Sequence, residues 1–294
     1  MRCACIDVGS NTTRLLVADA DADADAGALR DVFTDRAFTL IGRSMADGGS
    51  IPAEKVEETA EIVSTQADRA RELGAERIRV VATAAIRTAT NAAELTRAIE
   101  SRAGMRLEVL DGEDEARLAF RGAAYVVDPA GTLAVIDLGG GSTEIAVGTA
   151  DGRVTRADSI PIGSSVLTER HLRSDPPTDA ELDAVREDVA LAFDAYAPPD
   201  VDQAVAVGGS ASSLLHVAGG LLGPYELRYA LDRVCSEPSE RFAAGVGLDA
   251  VRVRMLPGAV VVLAELARRL RQPLGICKGG LREGVILEMI GGVE

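Results

Sequence analysis

Apolar and polar positions along this chain switch repeatedly between two periods, and each switch marks an element. An apolar run ending at Ile6-Asp7-Val8 gives way to Gly9-Ser10-Asn11-Thr12, and a second run follows at residues 15–18, the order strand, turn, strand. From residue 50 to 73 apolar side chains recur at helical spacing, among them Val56, Ile62, Val63, Ala67, Ala70 and Leu73, with Ser50 and Pro52 at the start and Gly74 as a stop. Residues 77–82 read as a strand. Asn91 with Glu94 three residues on predicts a capping box for a helix reaching about Arg102, and a short strand at 107–110 precedes a helix over 112–125. In the second half Thr178 with Glu181 caps another helix, residues 204–207 form a strand, and Ser210 begins a helix to Ala218. Pro257 opens a further helix, and residues 274–277 and 281–290 follow as strand and helix.

One phrase occurs twice. Ile6-Asp7-Val8-Gly9-Ser10-Asn11-Thr12-Thr13 returns 130 residues later as Ile136-Asp137-Leu138-Gly139-Gly140-Gly141-Ser142-Thr143, again followed by an apolar run. Ile41-Gly42 returns as Ile162-Gly163 after 121 residues, so the first copy carries about nine extra residues, placed in the Ala-Asp tract at 18–26. Asp21, Asp23 and Asp25 alternate as in a calcium loop, but Ala26 stands where that loop needs Gly and Val32 where it needs Glu, so the tract reads as a solvated hairpin tip. Two halves rich in βαβ units, each opened by a hairpin, predict an α/β protein with two related lobes flanking a cleft, residues 1–120 and 121–294.

Composition narrows the partners. Hydrophobic residues make up 47% of the 294 and aromatics only 3%, with no Trp, so the core is built of Ala, Val, Leu and Ile, which suits strands buried under helices. Thirty-one basic against 46 acidic residues leave a net charge of −15, which excludes nucleic acid or an anionic membrane as the main partner. A local cluster of donors or a bound cation still allows a phosphate pocket. Cys3, Cys5, Cys235 and Cys277 with His171 and His216 make no zinc spacing and read as reduced side chains of a cytoplasmic protein. The longest apolar stretch, 256–264, falls far short of the roughly 20 residues of a membrane span.

The repeated turns carry the chemistry. Gly, Ser and Thr let backbone N–H groups and hydroxyls converge on an anion, so Ser10, Asn11 and Thr12 and then Gly140, Gly141, Ser142 and Thr143 form two candidate phosphate grips facing across the cleft. A third is Gly208, Gly209 and Ser210, where a strand runs through glycines into a helix N-terminus. Carboxylates beside phosphates need a mediating cation. Asp7, Asp137 and Glu144, at the ends and starts of the hairpin strands, supply the hard oxygen ligands of a Mg²⁺ site. The plainer readings are carboxylates that satisfy turn N–H groups, Arg87 in a surface ion pair, and Glu115 as an exposed member of an acidic helix start.

Taken together, Asp7 to Thr12, Arg87 before Asn91, Gly112-Glu113-Asp114-Glu115-Ala116-Arg117, Asp137 to Glu144 and Leu281-Arg282-Glu283-Gly284 resemble the exopolyphosphatase / guanosine pentaphosphate phosphohydrolase family, in family order over nearly the whole chain. The glycine triplet also suits sugar kinases, actin and heat-shock chaperones, whereas Glu-Asp-Glu-Ala-Arg is the specific segment. The resemblance implies two actin-like ATPase (ribonuclease H-like) lobes and Mg²⁺-dependent release of the terminal phosphate of inorganic polyphosphate. It puts the catalytic base on Glu115, Asp137 and Glu144 at the metal and attacking water, and Arg87 on substrate phosphate. It also implies a homodimer. Because relatives extend further at the C-terminus, short polymers are the expected substrates. Guanosine pentaphosphate is the alternative substrate. A noncatalytic sensor of polyphosphate or an alarmone, and a kinase of the same fold, are the remaining alternatives.

Overall fold

The computed structural model describes residues 1–21, 28–45 and 49–291. Among these residues the first sheet has five strands, β1 (Arg2–Val8), β2 (Thr12–Asp21), β3 (Ala28–Phe38), β4 (Arg77–Ala82) and β5 (Leu107–Val109), in the order β3-β2-β1-β4-β5. β1, β2 and β3 pair antiparallel, and β1, β4 and β5 pair parallel. The second sheet contains β6 (Leu133–Leu138), β7 (Thr143–Gly148), β8 (Val154–Ile160), β9 (Gln203–Val207), β10 (Leu221–Leu222) and β11 (Leu274–Ile276), in the order β10-β11-β9-β6-β7-β8. Its run β8-β7-β6-β9-β11 repeats the first sheet strand for strand, so the duplicated loop phrase marks a duplicated topology; β10 is an added antiparallel edge. The longer first hairpin agrees with an insertion there, while residues 22–27, which carry most of the Ala-Asp tract, lie outside the described residues.

Helices cover the sheets. They are α1 (Ile41–Ser44), α2 (Ala53–Glu72), α3 (Ala84–Thr88), α4 (Ala92–Ala103), α5 (Gly112–Val127), α6 (Ser164–His171), α7 (Asp179–Ala192), α8 (Gly208–Ala218), α9 (Pro224–Val234), α10 (Ser239–Val246), α11 (Ala250–Leu270) and α12 (Leu281–Gly291). Alternation along β1 sends Ala4, Ile6 and Val8 into a core with Val63 of α2 and Leu95 and Ile99 of α4, and Cys3 and Cys5 into another with Leu281, Val285 and Ile286 of α12. Both faces of β1 are thus covered, which is why its sequence is almost unbroken in apolar residues. In the second sheet Ile136 and Ala206 face α11, whereas Val135 and Val205 face Ala116, Phe120 and Ala123 of α5. α5 and α12 therefore cross over: each follows one sheet in sequence, and α12 returns to lie on the first. They pack so closely that a Cβ at Gly284 would overlap the Leu118 carbonyl oxygen and one at Gly122 the Gly280 carbonyl oxygen.

Several elements differ from the sequence reading. α11 begins at Ala250, and Pro257 lies buried inside it rather than opening it. The Thr178–Glu181 capping box forms at α7 as expected. At α4 it does not: Asn91 Oδ1 accepts the Ile51 N–H (2.8 Å) and Nδ2 donates to the Ile51 carbonyl (3.0 Å), so tertiary partners take the side chain. α8 starts two residues early, because Gly208, at φ 87°, turns the chain out of β9 in a conformation few other residues adopt. β3 and β8 had no distinct periodic signal; they are edge strands whose polar faces dilute the alternation.

Candidate functional site

The registers of the two sheets place the charged residues. In the first sheet Asp7 lies directly opposite Arg14, and Arg14 opposite Arg36. At the same rung of the second sheet Asp137 lies opposite Glu144, and Glu144 opposite Ser159. Directly paired residues project to the same face, so each rung is a row of polar groups at the C-terminal edge of the first strand. The duplication has diverged in charge here: arginine occupies in one lobe the position that glutamate occupies in the other. Arg14 Nη2 bridges to Asp7 Oδ2 (2.8 Å), whereas Glu144 Oε1 accepts hydroxyl hydrogen bonds from Ser142 (2.6 Å) and Ser159 (2.7 Å).

Glu115 reaches this place from the first turn of α5. Asp111 caps that helix, its Oδ1 accepting the Asp114 N–H at 2.8 Å. Glu113 and Asp114 face solvent, but Glu115 is only 6% exposed. Arg87, on α3, donates from Nη1 to Glu115 Oε2 (2.8 Å) and to the Leu110 carbonyl (3.0 Å), while its Nη2 lies 3.7 Å from Glu144 Oε1. One guanidinium thus joins the two carboxylates. Burial pushes the Glu115 carboxyl well above the ordinary carboxylate range, and the charges of Glu144 and Asp137 push the same way against Arg87. Burial also pushes Asp137 up to about 6 and Glu144 up to about 7.

The two repeated loops meet across the cleft. Asn11 Nδ2 donates to Ser165 Oγ (2.6 Å) and lies 3.3 Å from Met255 Sδ, and a Cβ at Gly140 would overlap that same amide. A Cβ at Gly141 would sit 2.8 Å from Ser10 Oγ, so backbone stands against side chain at this contact. Thr12 borders the inner cavity with Ser10 and Asn11; that cavity has a volume of about 60 Å³, where one water needs roughly 10–15 Å³. Ser142 spends its hydroxyl on Glu144, and Thr143, fully buried, donates to the Ile162 carbonyl (2.6 Å), so these two hydroxyls hold the site's frame. The third loop arrives as well: a Cβ at Gly208 would lie 2.6 Å from Asp137 Oδ1, and Ser210 Oγ lies 3.4 Å from Ser164 Oγ.

Three contributors were not anticipated from the sequence. Ser159 is one. Arg14 is another, though the 130-residue offset that pairs Asp7 with Asp137 also pairs it with Glu144. Arg252 of α11 is the third, signalled only as one of two arginines, with Arg254, at the start of an apolar stretch. It is 8% exposed with its Nε buried and unpartnered among the described residues, and burial together with Arg14 and Arg36 lowers it to about 10. Arg14, Arg36, Arg252 and Arg282 line an adjoining cavity of about 470 Å³, which gives the cleft a basic end in an acidic protein.

Among the described residues no three or more carboxylate, imidazole or thiol side chains close around one point as an all-protein metal cage. What the cleft does contain is Asp7 Oδ1, buried without a hydrogen-bond partner, beside Asp137 and Glu144, whose ionisation is disfavoured as the protein stands. Such unfilled hard-oxygen donors fit Mg²⁺, which takes one or two carboxylates and completes its shell with water and substrate phosphate.

Known proteins resemble this chain over nearly its whole length. The chain is 32% identical to "Exopolyphosphatase 2" of Mycobacterium tuberculosis, over 98% of its own length and 97% of the relative's. It is 29% identical to "Guanosine-5'-triphosphate,3'-diphosphate pyrophosphatase" of Pseudoalteromonas atlantica, over 98% of its own length but 58% of that protein's. The crystal structure of the Ppx/GppA family member of Aquifex aeolicus superposes with a TM-score of 0.83 at 28% identity, covering 99% of this chain and 97% of that one. The sequence model of the Ppx/GppA phosphatase family matches residues 21–292, and the chain belongs to that family.

Proposed function

We propose that this chain is an exopolyphosphatase: it hydrolyses the terminal phosphoanhydride bond of inorganic polyphosphate in the presence of Mg²⁺, with Glu115 as the general base. The observation that carries this reading is that Glu115, alone in an acidic helix start, is buried against Arg87 and beside Glu144 in a cleft between two donor-rich loops. In the reaction a water oxygen attacks the terminal phosphorus, and its proton passes to the Glu115 carboxylate. The bridging P–O bond breaks, and its electron pair leaves on the shortened polymer. Backbone N–H groups of the Ser10–Thr12 and Gly140–Ser142 loops and of Gly208–Ser210 orient the phosphates, and Arg87 answers the charge on the transferring group. Asp7, Asp137 and Glu144 are the residues that would hold Mg²⁺, which supplies charge neutralisation at the phosphoryl oxygens.

Guanosine pentaphosphate is the second substrate to consider. The 470 Å³ cavity beside Arg14 and Arg252 has room and positive charge for more than one linear row of phosphates, and this is what favours it. We place the reaction in the cytoplasm, in keeping with the free thiols of Cys3, Cys5, Cys235 and Cys277, and take a homodimer as the working assembly, open to test by sedimentation. No helix among the described residues is long and apolar enough to cross a membrane.

The test is phosphate release by the purified protein with Mg²⁺ from polyphosphates of several lengths, guanosine pentaphosphate and ATP. Release from polyphosphate at the highest kcat/KM is expected. Release from guanosine pentaphosphate alone would favour the second substrate, transfer to an added sugar acceptor a kinase, and binding without release a sensor.

A further inference from the structure

We infer that Ser159 is a positioning residue of this reaction, its hydroxyl holding the Glu144 carboxylate in register with Arg87; the inference rests on the hydrolytic reading above. The register of β7 with β8 puts Ser159 directly opposite Glu144, and its Oγ donates to Glu144 Oε1 at 2.7 Å. Ser142 Oγ donates to the same oxygen at 2.6 Å. Oε1 is therefore satisfied twice over, while Oε2 has no hydrogen-bond partner among the described residues and is the oxygen left for a ligand. Two donors on one oxygen hold the carboxyl group more firmly than either would alone.

Ser159 touches the other half of the chemistry as well. Its Oγ lies 3.5 Å from Arg87 Nη2, on the guanidinium whose Nη1 binds Glu115 at 2.8 Å. Gly112, the first residue of α5, closes over it: a Cβ at 112 would lie 2.7 Å from Ser159 Oγ and would overlap its Cβ. Glu115 stands three residues further along the same turn, so Ser159 sits where the helix carrying the base, the arginine of the first lobe and the carboxylate of the second all come together. Ser159 is itself exposed, whereas Glu144 is 1% exposed. Removing its hydroxyl opens no buried cavity, so a purely structural role predicts that its loss changes little.

The experiment compares Ser159→Ala and Gly112→Ala with wild type in kcat and KM for polyphosphate with Mg²⁺, in Tm, and in crystal structures without substrate. The first variant removes the hydroxyl; the second keeps it and displaces it. A hydrogen bond to a charged group supports a loss of about ten- to hundredfold. We expect kcat to fall by that factor in both variants with KM within about threefold of wild type, Tm for Ser159→Ala within about 2 °C, and Glu144 turned from its wild-type position. Values of kcat within about twofold of wild type in both variants, or an unmoved Glu144 in the Ser159→Ala crystal, overturn the inference. Should wild-type protein release no phosphate from polyphosphate, the hydrolytic reading falls by itself, and the position of Glu144 in the two crystals still decides whether Ser159 holds it.

Discussion

Glu115→Gln removes a negative charge from a site that also holds Glu144 and Asp137 and changes almost nothing in shape. Burial and those two carboxylates push the Glu115 carboxyl up, so a neutral side chain relieves the crowding. Arg87 is not stranded by the change, because it keeps the Leu110 carbonyl at 3.0 Å and Glu144 at 3.7 Å, is 24% exposed, and can donate to the new amide oxygen. Tm is therefore expected to hold or rise. The chemistry fares differently. A general base contributes about 10²–10⁴ in rate, or roughly 3–5.5 kcal/mol at about 1.36 kcal/mol per decade, more than the roughly 1.5–3 kcal/mol of one charged hydrogen bond. In a phosphate-release assay with Mg²⁺, kcat should fall by that factor with KM little changed. Glu115 acts only when ionised, and its ionised fraction falls as pH drops through its raised pKa. The acid limb of the wild-type pH profile should thus lie above the ordinary carboxylate range, and the variant should keep only the part that Asp137 and Glu144 set. A kcat within about tenfold of wild type, or a loss expressed as a higher KM alone, refutes the assignment of the base.

Other outcomes follow from the same geometry. Burial pushes Asp137 up to about 6 and Glu144 up to about 7, above their ordinary 3.8 and 4.5. Between those limits the folded state binds more protons than the unfolded chain, and stability falls as pH rises. Mg²⁺ should accordingly raise Tm more at about pH 8 than at about pH 5; an equal gain at both would remove these carboxylates from the metal's surroundings. Arg252→Met exchanges a buried cation with no ion-pair partner among the described residues for an apolar side chain, so Tm should hold or rise while KM for polyphosphate increases about tenfold or more; an unchanged KM would sever Arg252 from substrate binding. Gly284→Ala drives a methyl group into the Leu118 carbonyl where α5 crosses α12 and should cost about 3 kcal/mol or more, read as a lower urea midpoint at constant m; an unmoved midpoint would mean that the crossing is looser than described.

The repeat of strand, donor-rich turn and strand at a 130-residue offset was enough to specify two similar sheets, because the pattern of a buried parallel strand and the residues of its turn are both local. It also placed Asp137 and Glu144 together, since a hairpin brings its own ends into register. Glu115 is the contrary case. An acidic helix start is ordinarily solvated, and nothing local separates Glu115 from Glu113 or Asp114; only α5 lying on the second sheet beside Arg87 buries the one and exposes the others. Arg252 and Ser159 escaped notice for the same reason, since each takes its meaning from a neighbour far away in sequence or across a strand pair that the edge strand did not announce.

The sequence alone determined the duplicated α/β plan, the turns rich in backbone donors and the acids attached to them, because each depends on residues within a few positions of one another. The tertiary structure decided which of those acids lose their water, which arginines gather at one end of the cleft, and which hydroxyls hold a carboxylate rather than a ligand. Ionisation and hydrogen bonding inside a cleft are governed by desolvation and by charges brought from other elements, and neither is written in the spacing of a single strand or helix.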